Sequence, residues 1–299
     1  MPAVPATSRS SPASANLLAL GAIVLWASLA ALGTSLARVP PFLLTGLGLL
    51  AGSLVALPLA RFDLQRLRAP WPAMVLGVYG LFGFHLLLFV ALRLAPPVEA
   101  NLVNYLWPLG MVLLAPLLLP GVPLTLRHVV AAALGFAGAA IAILGQGNDG
   151  AATAERPLAA WGFACAAGSA FIWASYSLLT KRLTLGGRGF PTAAIGSFGV
   201  VSGLLSLACH ALLEPSVRLS AREVALIAVL GLGPLGGAFF LWDAALKRGD
   251  ARQIGVLSYL TPLLSTFILL LATGRPLSWP IALATLLILG AAVLGTRTR

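Results

Sequence analysis

The hexapeptide Asn104-Tyr105-Leu106-Trp107-Pro108-Leu109 returns late in the chain as Ser258-Tyr259-Leu260-Thr261-Pro262-Leu263. The shift of 154 residues also carries Ala91-Leu92-Arg93 onto Ala245-Leu246-Lys247 and Leu76-Gly77 onto Leu230-Gly231. A second match, Leu25-Trp26-Ala27-Ser28 with Ile172-Trp173-Ala174-Ser175, ties the beginning of the chain to its middle. The fold must therefore be built from two copies of one unit. In both copies of the hexapeptide a proline falls inside an apolar run, where a helix should be unbroken.

Composition says where such units live. Of 299 residues, 59% are hydrophobic and 9% charged, with a mean hydropathy of +0.98. A soluble domain cannot bury that much apolar surface. Runs of about 20 apolar residues match the thickness of a bilayer core. They are expected as helices over 16–37, 41–60, 71–92, 97–119, 127–145, 158–180, 191–213, 221–245, 252–272 and 278–296. The fold class is thus all-α membrane protein, with about ten transmembrane helices arranged as two five-helix repeats. Residues 1–15, rich in Ser, Pro and Ala, read as a disordered tail. The first repeat is expected over 16–145, a Gly/Ala-rich linker over 146–157, and the second repeat over 158–299. The first apolar run is too long for a signal peptide and belongs to the repeat.

Five spans per copy is an odd number, so the copies must enter the membrane in opposite orientations. That is the inverted-repeat design of secondary transporters, with the binding site near the midplane. Placing the N-terminus in the cytoplasm puts thirteen of the nineteen Lys and Arg residues on the inside, including Arg61, Arg66, Arg68, Lys181, Arg182, Lys247 and Arg248. The positive-inside rule then sets both termini in the cytoplasm. The same bias accounts for the formal charge of +11 without a nucleic-acid partner.

In the fourth run, Asn101, Asn104, Tyr105 and Pro108 fall on one helical face. Two amides and a phenol there line a cavity or bond to neighbouring helices. Trp107 lies beside this stripe. Pro108 and Pro262 are expected to kink their helices, a break tolerated where it borders a cavity. In the sixth run, Ser169, Trp173, Tyr176 and Thr180 share a face that is either a cavity wall or a packing seam. His85, deep in the third run, is either a substrate or proton group or a neutral imidazole bonded to a carbonyl. Tyr79, Ser258 and Tyr259 complete the candidate substrate-binding set. Asp243 is expected to pair with Lys247 one turn on. Cys165 and Cys209 lie within apolar runs, and no Cys/His cluster suggests a metal. No nucleotide loop or hydrolase motif appears, so neither a cofactor nor catalysis is expected. The expected partners are a small-molecule substrate, the lipid bilayer and, as a candidate coupling ion, protons.

These residues carry a resemblance that spans nearly the whole chain. The Trp26-Ala27-Ser28 signature and the two proline-broken helices are similar to the drug/metabolite transporter superfamily, in its ten-helix EamA branch. Val103-Asn104-Tyr105-Leu106-Trp107-Pro108, Phe171-Ile172-Trp173-Ala174 and Thr180-Lys181-Arg182 look like the bacterial aromatic amino acid exporters of that branch. The resemblance implies an inner-membrane exporter with a cavity lined by the first, third, fourth, sixth, eighth and ninth spans, Trp107 and Trp173 among the lining residues. The chain departs from the branch before the fifth and tenth spans. Members often carry a Glu there, and this chain has Leu119-Pro120-Gly121 and Thr273-Gly274-Arg275. Aromatic faces suit flat apolar side chains and cations, and amides suit a carboxylate. A broad drug or metabolite exporter on the same scaffold is the alternative.

Overall fold

The computed structural model describes residues 12–144, 157–273 and 279–296, and within them every regular element is helical. Among the described residues, nine helices are long and apolar enough to cross a membrane. They are α1 (Ala13–Gly33), α2 (Pro41–Leu59), α3 (Trp71–Leu94), α4 (Pro97–Leu118), α5 (Leu126–Leu144), α6 (Ala159–Leu185), α7 (Thr192–Leu213), α8 (Ala221–Arg248) and, last in the chain, α10 (Trp279–Thr296). Between α8 and α10, the pieces Ala251–Leu257 and Leu260–Thr273 form a broken helix, α9, the repeat counterpart of α4. The chain is a multi-pass, all-α membrane protein. Leu17, Val24, Phe171, Leu204, Leu212 and Leu286 stand exposed on its flank, where lipid replaces water.

The first helical stretch begins at Pro12, so residues 12–15 are helical rather than part of a tail. Proline suits a first helical turn, and Ala13, Ser14 and Ala15 continue it without strain. Residues 1–11 and most of the expected linker over 146–157 lie outside the described residues. The first span also breaks at Ser28, whose hydroxyl donates to the Leu25 carbonyl at 2.7 Å.

The breaks themselves repeat. A π-helical turn spans Tyr79–Gly83 in α3 and Gly233–Gly237 in α8, at the shift of 154 residues. α4 is interrupted at Tyr105 and Leu106, and α9 at Ser258 and Tyr259, each break lying just before its proline. Pro108 and Pro262 thus sit in the first turn of a new helical piece, where a missing N–H costs nothing.

Packing between the halves follows a twofold pattern. α5 lies on α10, α2 on α7 and α4 on α9, each helix against its own counterpart. Other contacts come in swapped pairs: α1 on α8 with α6 on α3, α2 on α8 with α7 on α3, and α6 on α4 with α1 on α9. Five spans per half turn this into an inverted repeat. Small residues allow the closest approaches, since lipid supplies no hydrophobic drive between helices. At Gly52 an added Cβ would meet the Gly231 carbonyl oxygen and the Gly236 Cα, both at 2.7 Å.

At one end of the bundle, buried Glu214 ties three helices together. α2 has no capping side chain of its own, and Glu214 accepts the amides of Phe42 and Leu43 at 3.1 and 3.2 Å. Arg93, at the end of α3, reaches the same carboxylate at 2.7 Å, and His210 of α7 at 3.1 Å. An acid at a helix N-terminus also meets the favourable end of its dipole.

Candidate functional site

A cavity of about 700 Å³ opens between the halves. Its walls come from the later turns of α1 and α3, the start of α2, the first piece of α4, the end of α5, and the middles of α6, α8 and α9. These segments place it toward the end of the bundle that carries Glu214 (the start of α2 and the ends of α3 and α7).

Aromatic rings make its floor. Trp26, Trp107, Trp173 and Phe239 line it, and Trp242 lies against three of them from behind. Trp173 is the hub, with ring centroids 5.8 Å from Trp26, 6.3 Å from Trp107, 5.6 Å from Phe239 and 5.3 Å from Phe84. The edge-to-face pairs among them, with Trp26 and Trp107, contribute about 0.5–1.5 kcal/mol each beyond the area they bury. The indole of Trp242 donates to Ser177 Oγ at 3.1 Å, which satisfies its one polar atom.

Polar groups enter from two sides. Asn101, Asn104 and Tyr105 line the cavity from α4. Ser169 Oγ donates to Asn104 Oδ1 at 2.7 Å, so the carbonyl end of that amide is engaged within the protein. His85 lines the wall from α3 with its Nδ1 2.6 Å from the Leu81 carbonyl. A carbonyl only accepts, so Nδ1 carries the hydrogen and Nε2 of the neutral ring is an acceptor. Thr45 of α2, with Thr261 and Ser265 of α9, adds hydroxyls.

Of the ten residues read from the sequence as substrate-binding, the cavity gathers Asn101, Asn104, Tyr105, Trp107, Trp173 and His85. The other four lie behind its walls. Tyr176 is buried against Trp173, at a centroid distance of 5.4 Å, and covers Gly80, where a Cβ would lie 2.4 Å from the tyrosine ring. Tyr79 shares a 2.8 Å hydrogen bond with Ser175 Oγ. Tyr259 is fully buried over Gly135, and the hydroxyl of Ser258 donates to the Gly255 carbonyl. Pro262 borders the cavity and Pro108 is buried behind Trp107.

Sequence reasoning passed over Trp26, Thr45, Phe84, Phe239, Thr261 and Ser265 as lining residues. The repeat held a signal for three of them. Trp26 is the counterpart of Trp173, Phe239 of His85, and Thr261 of Trp107.

Below the floor, Asp243 Oδ2 accepts from Lys247 Nζ and from Thr192 Oγ1, both at 2.6 Å, as the one-turn spacing of Asp243 and Lys247 leads one to expect. Lys247 also donates to the Phe190 carbonyl at 2.7 Å and lies 4.3 Å from that residue's ring centroid.

An inverted repeat of broken helices around a central cavity defines a membrane transporter of the secondary type. The chain belongs to the EamA-like transporter family, whose sequence profile matches residues 13–144 and again residues 160–297. It is 43% identical, over 96% of its length and 98% of the relative's, to a protein of Ancylobacter novellus called aromatic amino acid exporter YddG. A Salmonella typhimurium protein of the same name is 27% identical over 89% of this chain and 90% of its own. A solved crystal structure with 41% identity superposes with a TM-score of 0.87, covering 96% of this chain and 98% of the other.

Proposed function

We propose that the chain is an alternating-access exporter of small amphipathic metabolites, foremost aromatic amino acids, in a bacterial inner membrane with both termini in the cytoplasm. The observation that carries this reading is the pairing of an aromatic floor with the α4 amides in one cavity. The ring of the substrate rests on Trp107 and Trp173. Its carboxylate takes the amide hydrogens of Asn101 and Asn104, and its ammonium lies against aromatic faces and near the free acceptor of His85. Tyr105 closes the side of the site. Tyr176, Tyr79, Ser258 and Tyr259 support it from behind in this conformation. Protons serve as the coupling ion, with His85 as their carrier.

The relatives' printed names and the excess of Lys and Arg on one side support substrate and orientation respectively. Counterflow of labelled amino acids in liposomes tests the reading. Exchange of Phe, Trp and Tyr well above that of Ala, Thr and a lipophilic cation is the expected result. Equal exchange of the whole panel would leave a broad metabolite exporter instead. Orientation is tested by impermeant thiol labelling, with Arg188→Cys reacting only from inside and Ser216→Cys only from outside.

A further inference from the structure

The repeat does more than describe the fold. Residues that line the cavity from one half have counterparts in the other half, and several of these are buried polar groups on the closed side. Gly33, Phe89 and Tyr105 line the cavity. Their counterparts are Thr180, Asp243 and Tyr259, which are 1%, 2% and 0% exposed. Asp243 Oδ1 accepts no hydrogen bond from the described residues. A buried carboxylate oxygen without a donor is costly in a resting protein.

The two halves also differ chemically at these positions. In the first half, Phe89 packs edge-on against Phe42, and Arg93 lies over the Phe42 ring. In the second half, Asp243 and Lys247 hold the positions of Phe89 and Arg93, with Thr192 at the start of α7 beside them. The open-side corner thus takes its acid, Glu214, from the end of α7, whereas the closed-side corner carries its acid, Asp243, on α8 one turn from Lys247. In an inverted repeat the opposite-facing state is reached by exchanging the arrangements of the halves. The counterparts of today's lining residues then line the cavity.

We propose that Asp243 and Lys247 form the ammonium- and carboxylate-binding pair of a second substrate cavity, closed in this conformation, which opens at the end of the bundle where α8 ends. The inference rests on the reading of the chain as a carrier of zwitterionic amino acids. In the closed state the two side chains neutralise one another. A zwitterion can replace each partner for the other: its ammonium takes Asp243, including the free Oδ1, and its carboxylate takes Lys247. No unpaired charge is left inside the protein at any stage, which is the condition for parting a buried ion pair without large cost. A solute with only one of the two charges leaves one member of the pair unmatched. The gate therefore selects amino acids as a class, while the aromatic floor selects among them.

The test uses the full chain in liposomes. Labelled Phe counterflow by the unaltered protein comes first, and its absence would refute the substrate reading without touching the second cavity. That cavity is decided by Thr180→Cys in a Cys165→Ser, Cys209→Ser background. An impermeant maleimide added on the face bearing Arg188 should label it. Ser202→Cys, equally buried in α7, should stay unlabelled. Failure of Thr180→Cys to react would overturn the proposal.

The charge pair is read by competition from the same face, using Phe, phenylalaninamide and 3-phenylpropionate. Asp243→Asn should narrow the preference for Phe over 3-phenylpropionate about tenfold, and Lys247→Gln that for Phe over the amide, since a site built for a polar group rejects an analogue lacking it. Preferences unchanged in both variants, or reduced alike for every competitor, would sink the charge assignment. If either variant fails to fold, as its melting temperature reports, the protection of Thr180→Cys decides. Phe, but not 3-phenylpropionate, should slow its labelling, and equal slowing by both would refute the zwitterion site.

Discussion

Trp107 and Trp173 meet edge to face, with ring planes 84° apart, and they come from opposite halves of the chain. Each belongs to a different repeat, so their contact is made across the interface that must rearrange during transport. Trp173→Ala removes an aromatic contact worth on the order of 1 kcal/mol beyond area burial. Transport of Phe and Trp should fall several-fold more than transport of Thr, normalised to protein in the membrane. An equal loss for all three would make Trp173 a packing residue.

Asn101→Ala should behave differently. In the proposed site the Asn101 amide takes the carboxylate that every amino acid shares, so Phe, Trp and Thr should weaken by similar factors. A loss confined to the aromatic substrates would remove the amide from the head-group site.

His85→Gln keeps a polar group on the α3 wall but removes the titratable ring. If His85 carries the coupled proton, the pH dependence of transport between about pH 5 and 8 should flatten. A melting temperature equal to that of the unaltered protein separates this from misfolding. An unchanged pH profile would restrict His85 to a neutral, hydrogen-bonded role.

Close packing gives a stability prediction. Gly52→Ala places a methyl group 2.7 Å from backbone atoms of α8, which cannot yield as a side chain does. Overpacking of this kind costs about 1–3 kcal/mol. Gly290→Ala meets nothing within 4 Å and should be neutral or slightly stabilising. Melting temperatures in detergent compare the two, and equal values would refute the packing argument.

Asp250, just before α9, accepts from the Arg252 amide at 2.8 Å and from its guanidinium at 2.6 Å. Burial raises the carboxyl pKa, but the hydrogen bonds and charge of Arg252 outweigh it and hold the group below the usual carboxylate value. A depressed value contributes stability above the unfolded pKa, lost as pH falls through the folded one. The melting-temperature gap between the unaltered protein and Arg252→Gln should therefore hold down to about pH 5 and narrow below about pH 4. A gap that ignores pH would assign the effect to the Arg252 bond with the Pro123 carbonyl, at 2.6 Å.

Much of the fold was legible because membrane helices leave long unmixed apolar runs and because the chain states its design twice. Pro108 and Pro262 marked the broken helices, and Asp243 with Lys247 was readable from one-turn spacing. The site was legible only in part. Asn101, Asn104 and Tyr105 share a stripe that reaches the cavity, since a single helical piece carries the first two. The stripe of Ser169, Trp173, Tyr176 and Thr180 divides: Trp173 reaches the cavity, Ser169 bonds to Asn104, and Tyr176 seats over Gly80. Helical spacing gives a face, but more of α6 is buried than of any other of the nine long helices, so its inward surface meets several neighbours at once. The π-helical turn at Tyr79–Gly83 further shifts the register of α3, which an ideal helical wheel does not anticipate.

Glu214 gives the bundle a mechanical property. Its bonds gather the start of α2 and the ends of α3 and α7 into one corner, so the far end of each helix lies a full helix length from that anchor. A helix of about 20 residues is about 30 Å long, so a tilt of about 10° about the anchor sweeps its far end by about 5 Å. The far end of α7 is Thr192, whose hydroxyl holds Asp243 at 2.6 Å. Leverage makes the two ends unequal: a rotation too slight to loosen Glu214 is ample to part Thr192 from Asp243.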